Sequence, residues 1–451
     1  MKKHTQPPYE SSEISYKPSG IKWLGEIPQS WKNVSIRSCF TESNQRCNTD
    51  SYPLLSVTIA NGIIYQDDIE NKKDISNDDK SNYKIVPLNA VAYNKMRMWQ
   101  GAVGVNTLTI GIVSPAYIVA IPNEKILPNF VSYLFKSKIM ISEFDKNSYG
   151  LCLDMNNLRY DDFRNIKIPL PPLQEQKEIA EFLDKKCEKI QNYINKKQKL
   201  ITLLQEKKQA LINEAVTKGL NPNIEFKNSG IEYLGLIPHH WEVVKVKYIA
   251  TTNIGLVYDP SEIATNENVG YPVLRANNIQ NGKIDYKDVI YVAKKIDDKQ
   301  LAISGDLLMC VRNGSENLLG KTAKIENNNF SFGAFTAIIR SDLNNYLYWI
   351  FQTEMLKKSI SSFIVSIGIG QISQDDIKNF KIPLPPLQEQ KEIAEFLDKK
   401  CEKINSAIEK TKRQIKLIKE YKNTLINEAV CGRVACSRDF SPTAQNDKKK
   451  N

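Results

Sequence analysis

Side chains suited to reading a nucleic acid gather at three places in this chain of 451 residues. Asn94-Lys95-Met96-Arg97-Met98-Trp99-Gln100-Gly101 sets two cations, two amides and an indole between strand-like runs. Arg275-Ala276-Asn277-Asn278 and Val311-Arg312-Asn313-Gly314-Ser315 present a similar set further on. Arginine pairs with a guanine edge, and Asn or Gln with an adenine edge, through two hydrogen bonds each, while Lys and Ser suit phosphate oxygens. The candidate contacts are therefore Asn94, Lys95, Arg97, Trp99, Gln100, Arg275, Asn277, Asn278, Arg312, Asn313 and Ser315. Polar loops have this composition for ordinary reasons of solvation, so the stretches gain weight only alongside other features. A formal charge of +11 is one such feature, since it favours a polyanionic partner.

Catalytic chemistry finds no comparable footing. There is no GxxxxGK[ST] loop for a nucleotide, and Gly368-Ile369-Gly370 lacks the third glycine of a dinucleotide fingerprint. The three histidines, His4 and the pair His239-His240 beside Trp241, are too few for a zinc or histidine-base site. Glu175-Gln176-Lys177 has the order of a nuclease carboxylate-x-lysine. It opens a long helical pattern, however, where a glutamate is accounted for by the helix dipole. Gln6-Pro7-Pro8-Tyr9 resembles the Asn-Pro-Pro-Tyr loop of amino-methyltransferases, but no glycine-rich loop accompanies it, and a Pro-rich arm is expected. Eight scattered cysteines without a CxxC pair read as free thiols in a reducing cytosol. A 41% hydrophobic and 25% charged composition, without a long apolar run or a signal-like start, leads us to expect a soluble, non-catalytic, cytoplasmic protein without metal or membrane span.

The elements that must position these residues come in two copies. Lys167–Ile190, KIPLPPLQEQKEIAEFLDKKCEKI, recurs letter for letter at Lys381–Ile404, 214 positions on. Upstream, SGIKWLGEIPQSW (Ser19–Trp31) is matched by SGIEYLGLIPHHW (Ser229–Trp241), offset by 210. After each tryptophan come alternating runs, NVSIRSCF and EVVKVKYIA, read as strands. Asn61-Gly62 and Asn281-Gly282 mark tight hairpins. Strand-like runs Leu88–Tyr93 and Asp306–Val311, glycine-marked turns and helical patches Pro128–Asp145 and Leu343–Ile360 follow in the same order. Each variable block is thus mixed α+β, and NKMRMWQG and Gly111–Tyr117 (GIVSPAY) show no counterpart in the second.

Each half closes on an extended Pro-Leu-Pro-Pro and then a stretch without Gly or Pro. Leu183, Cys187, Ile190, Ile194, Lys197, Ile201, Leu204, Lys208, Leu211 and Ala215 step by four and three, a heptad seam interrupted by two lysines. The second seam runs Leu397, Cys401, Ile404, Ile408, Thr411, Ile415, Ile418, Lys422, Leu425 and Ala429. About 40 helical residues make a rod of roughly 60 Å, whose apolar stripe must be covered. The other copy is the available partner. Two such rods packed antiparallel would place the blocks at opposite ends in inverted orientation, as a twofold-symmetric DNA backbone requires. Gly219 and Gly432 mark the ends.

SGIKWLGEIPQSW, NKMRMWQGAVG, GIVSPAY and the doubled IPLPPLQEQKEIAEFLD together resemble the specificity subunit of type I restriction-modification systems. That resemblance spans nearly the whole chain. It implies an α+β fold of two mixed α/β target-recognition domains, separated by two long helices packed as an antiparallel coiled coil in an internal pseudo-twofold repeat. The expected divisions are an arm at 1–18, the first domain at 19–170 and its spacer helix at 171–218. A linker at 219–228, the second domain at 229–384, its helix at 385–431 and a basic tail at 432–451 complete the chain. The resemblance further implies that each domain reads one half of a split, asymmetric site in double-stranded DNA. Two modification subunits would dock near the repeated segments, carrying S-adenosylmethionine for adenine-N6 methylation; restriction subunits would bring ATP and magnesium. The expected docking and spacer residues are Pro171, Leu173, Gln174, Gln176, Phe182, Leu183 and Ile190. Pro385, Leu387, Gln388, Gln390, Phe396, Leu397 and Ile404 are their copies. The alternatives are service to a methyltransferase-only or type IIB-like system, or a coiled-coil scaffold that does not bind DNA.

Overall fold

The computed structural model describes residues 15–47, 52–69, 80–150, 156–264, 268–313, 318–359 and 370–434. His4, Gln6–Tyr9, Gly314, Ser315, Gly368, Ile369 and the closing NDKKKN lie outside these residues. Two long helices, Leu173–Lys218 and Leu387–Val430, contain 46 and 44 residues. Each follows a Pro-Pro pair, whose fixed φ and missing N–H keep the preceding segment extended. Those segments, Lys167–Leu170 and Lys381–Leu384, are strands, paired antiparallel with Lys32–Ser35 and Glu242–Lys245. The helices end at Gly219 and Gly432, whose φ values of +77° and +73° lie in the left-handed region that glycine enters without steric cost.

The chain forms two compact units, residues 1–197 with 413–451 and residues 198–412, so the division falls within both long helices. In the first unit Ile179, Leu183, Ile190 and Ile194 share a core with Leu425, Ala429 and Val430. In the second, Ile212, Ala215 and Val216 share one with Ile393, Ala394, Leu397 and Cys401. The start of each helix lies with the end of the other, and the pair is antiparallel. Two lysines of the seams find polar company: Lys208 donates to Asn405 at 3.0 Å near Cys401, and Lys422 lies near Cys187.

The first unit is built on four antiparallel strands in the order Phe40–Ser43, Tyr117–Pro122, Val91–Asn94, Val103–Val105. Helices Pro128–Lys136 and Lys138–Lys146 contribute Phe130, Phe135 and Phe144 to a core that also holds Tyr93 and Phe163. The sequence suggested one helical patch here. Ser137 breaks it, taking an extended conformation and capping the second helix by accepting from the Met140 N–H. The main sheet of the second unit has six strands, and the first four, Thr251–Ile254, Thr336–Arg340, Leu307–Cys310 and Thr322–Lys324, repeat the same order. The alternating runs after each tryptophan are also shorter than expected. A 3₁₀ turn, Ile36–Ser38 or Val246–Tyr248, breaks each run, moving the chain from the two-stranded pair to the larger sheet.

Candidate nucleic-acid interface

The second unit brings four of the predicted contacts to one open groove of about 500 Å³. Arg275, Asn277, Arg312 and Asn313 line it together with Tyr258 and Phe335. Asn278 lies beneath and is buried; its side chain accepts from the Arg275 N–H and donates to the carbonyls of Asp285 and Asp288, which shapes the turn. Arg275 and Asn277 both donate to Asp288, at 3.2 and 3.0 Å. Arg312 is exposed, and its guanidinium carbon stands 5.5 Å from the centre of the Phe335 ring. Phe335 itself is 56% exposed, so its ring is open to the groove. Sequence reasoning missed it, because a lone Phe between strand-like runs reads as core.

A close backbone approach closes the groove floor. Leu256 N–H donates to the Phe332 carbonyl, Ala334 N–H to the Leu256 carbonyl, and Gly255 N–H to the Thr336 carbonyl. A Cβ on Gly255 would stand only 2.3 Å from the Gly333 oxygen, so no other residue fits there without movement.

In the first unit the NKMRMWQG stretch forms the turn after strand Val91–Asn94. Asn94 accepts from the Met96 N–H, and the Trp99 indole donates back to the Met96 carbonyl. Arg97 is exposed, and Lys95, Trp99 and Gln100 are half-buried. Lys136 holds the turn from below, donating to the carbonyls of Thr58, Ile59 and Gly101 at 3.1, 2.7 and 3.0 Å. Burial pulls its ammonium down to about 8. Nothing in the sequence around Lys136 marked it out.

This turn does have a counterpart. Asn94 N–H donates to Ala102 O and Cys310 N–H to Lys321 O; Lys95 O accepts from Leu158 N–H and Val311 O from Ile372 N–H. Asn94 pairs with Tyr117 as Cys310 pairs with Thr336. Met96 therefore stands level with Arg312, and Arg97 with Asn313. GIVSPAY is likewise matched by Ser331–Thr336: each closes with an N–H to carbonyl bond three residues back, Tyr117 to Ser114 and Thr336 to Gly333. The equivalence could not be seen in letters, because only backbone pairing is shared.

The repeated segment mostly serves its own unit. Glu175 accepts from the Trp31 indole at 2.7 Å and the Ser30 hydroxyl at 2.9 Å; Glu389 accepts from the Trp241 indole at 2.9 Å and faces His240 at 2.6 Å. Gln176 is buried and bonds Leu127, Lys125 and Pro171, whereas buried Gln390 reaches only Pro385 and leaves its oxygen unpaired among the described residues. Pro171, Leu183, Ile190, Pro385 and Leu397 are buried, and Ile404 is half-buried. Phe182 and Phe396 are half-covered by Lys186 and Lys400. Leu173, Gln174, Leu387 and Gln388 are exposed. A further copy, LINEAV at Leu211–Val216 and Leu425–Val430, escaped the sequence reading; it packs the two helix ends into their cores. Among the described residues no three His, Cys, Asp or Glu side chains are placed to hold a metal, and no helix is long and apolar enough to cross a membrane.

Two blocks of one topology, each offering polar turns on a shared helical frame, define a duplicated recognition protein. The model of the type I restriction modification DNA specificity domain matches this chain twice, over residues 28–204 and 238–417. The chain belongs to that family, and is a DNA sequence-recognition subunit of a type I restriction-modification system. The MjaVIII specificity subunit of Methanocaldococcus jannaschii is 29% identical over 333 residues, 72% of this chain and 74% of that one. The EcoKI specificity subunit of Escherichia coli is 29% identical over 225 residues, 48% of each chain. The fold is shared with a chain of the type I R-M system solved for its complex assembly and conformational transition, at TM-score 0.70 and 17% identity over 90% of this chain and 99% of that one. It is shared also with the HsdS subunit from Thermoanaerobacter tengcongensis, at TM-score 0.52 and 19% identity over 90% and 98%.

Proposed function

We propose that each unit reads one half of a bipartite, asymmetric DNA site, and that the long helices set the spacing between the halves. One observation carries this reading. Turns at equivalent places in the two units bear different side chains, Met96 and Arg97 in one, Arg312 and Asn313 in the other. One architecture with two chemistries is what a split, asymmetric target requires. Exchanging residues 33–165 for another protein's first block is expected to change one half-site only; loss of both would overturn the reading. Adding or removing one helical turn within Lys196–Leu211 is expected to change the spacer and leave both half-sites intact.

The chain itself is non-catalytic in this proposal, acting in the cytoplasm within a larger complex. Two modification subunits dock near the two identical segments, at the exposed Leu173 with Gln174 and Leu387 with Gln388. S-adenosylmethionine belongs to those subunits, and ATP with magnesium to restriction subunits where these are present. The complex is expected to bind DNA with a steep dependence on salt. Absence of DNA retention at moderate salt would argue for a scaffold instead.

A further inference from the structure

We propose that Arg312 reads a guanine within the half-site of the second unit, with the Phe335 ring as the platform that aims it. The proposal rests on the reading of that unit as a DNA reader and goes further, naming the base and the residue. The groove holds two arginines in different states. Arg275 is tied to Asp288, and Asn277 shares that carboxylate. Arg312 has no carboxylate or carbonyl partner for its guanidinium among the described residues, and rests over Phe335 instead.

The backbone fixes this pair. Val311 and Arg312 N–H both donate to the Phe335 carbonyl, at 2.9 and 3.3 Å. On its other side Arg312 pairs with Gln371. A guanidinium held over a ring by cation–π attraction, with no carboxylate to tie it, keeps N–H groups available and loses little freedom on binding. Two parallel donors in one plane match the O6 and N7 acceptors of guanine in the major groove. The first unit lacks both parts at the equivalent places, where Met96 and Ala116 stand, and exposed Arg97 has no ring beneath it among the described residues.

The test is base preference of the full modification complex on duplexes randomised at each position of its site, with methylated adenine as readout. The unaltered complex is expected to prefer guanine at one position of one half-site by roughly 5- to 100-fold. Arg312→Met is expected to flatten that column and leave every other column, including the whole opposite half-site, unchanged. Arg312→Lys keeps the charge without the planar fork and is expected to flatten it as well. Phe335→Leu is expected to weaken the preference partway. Thermal melting of each variant alongside the parent confirms folding. Activity that falls equally on all sequences, with rescue by Arg312→Lys and a salt slope lower by about one, would make Arg312 a phosphate contact and overturn the proposal. An unchanged guanine column would overturn it too. If the unaltered complex shows no base preference in either half-site, the reading of the units as DNA readers fails, and this inference with it.

Discussion

Glu175 is the junction at which the first variable block meets the repeated helix, and its contribution divides into two separable effects. A glutamate in the first turn interacts favourably with the helix dipole, worth about 0.5 kcal/mol at a surface. Here Oε2 also accepts from the Trp31 indole at 2.7 Å. Trp31 is 1% exposed, so without the carboxylate its N–H has neither partner nor water. A hydrogen bond to a charged acceptor contributes about 1.5–3 kcal/mol, and the half-exposed carboxylate places this one near the lower end. A double-mutant cycle of Glu175→Ala and Trp31→Phe separates the effects, because the cavity left by the smaller ring cancels in the coupling term. Native-state hydrogen exchange on the full chain, followed at Lys32–Ser35 and Lys167–Leu170, reads the local opening free energy. A coupling of about 1.5 kcal/mol is expected. A coupling below about 0.5 kcal/mol would mean that the indole bond adds little, and that Glu175 acts through the helix dipole and the Ser30 hydroxyl.

The two copies of the buried glutamine should differ. Gln176→Leu strands the Leu127 N–H together with the Lys125 and Pro171 carbonyls and is expected to cost about 2–3 kcal/mol, while Gln390→Leu loses one bond, to the Pro385 carbonyl, and is expected to cost about 1 kcal/mol; urea unfolding compares them. Gly255→Ala forces backbone apart at the groove floor and is expected to destabilise by about 1–3 kcal/mol in the same assay, with weakened recognition of one half-site. Lys136 makes a pH prediction. Its ammonium titrates near 8 in the native chain against 10.5 for the free side chain. Between those values the native state binds fewer protons than the unfolded one, so this group makes stability rise with pH across that window. The rise is at most about 3 kcal/mol at 1.36 kcal/mol per unit, trimmed by the three carbonyls that favour the charged form. Lys136→Met should lack it, as urea midpoints from pH 7.5 to 10 would show.

What could be read in the sequence was whatever the chain writes in periodic or repeated letters. The seams of four and three give the antiparallel helices, and the doubled Pro-Leu-Pro-Pro gives the strands that precede them. The groove was only partly legible. Arg275, Asn277, Arg312 and Asn313 were picked by residue type, but their meeting depends on Gly255, whose role is a close approach between segments distant in sequence. Residue type also misjudged their states: Asn278 is buried and Arg275 is occupied, because Asp288 lies across the turn. The correspondence of NKMRMWQG with the Arg312 turn rests on backbone hydrogen bonds, which leave no mark on side-chain identity.

The repeated segment now divides by physical duty, and the division sharpens what its identity in both halves means. Intramolecular packing accounts for the strand Lys-Ile-Pro-Leu, the glutamate on tryptophan, the leucine in the core and the seam cysteine. Internal duty also tolerates difference. The partner of Glu175 is Ser30 where that of Glu389 is His240, and Gln176 makes bonds that Gln390 does not. Packing alone thus permits the two copies to drift. Leu173 with Gln174 and Leu387 with Gln388 face solvent, where packing imposes least, yet they are identical, and the leucines are 46% and 56% exposed. The leucines lie half-open at the surface, and each glutamine bonds only its own helix, to Glu178 or Glu392. Their sameness is therefore best accounted for by the proposed docking of one kind of subunit at two equivalent places.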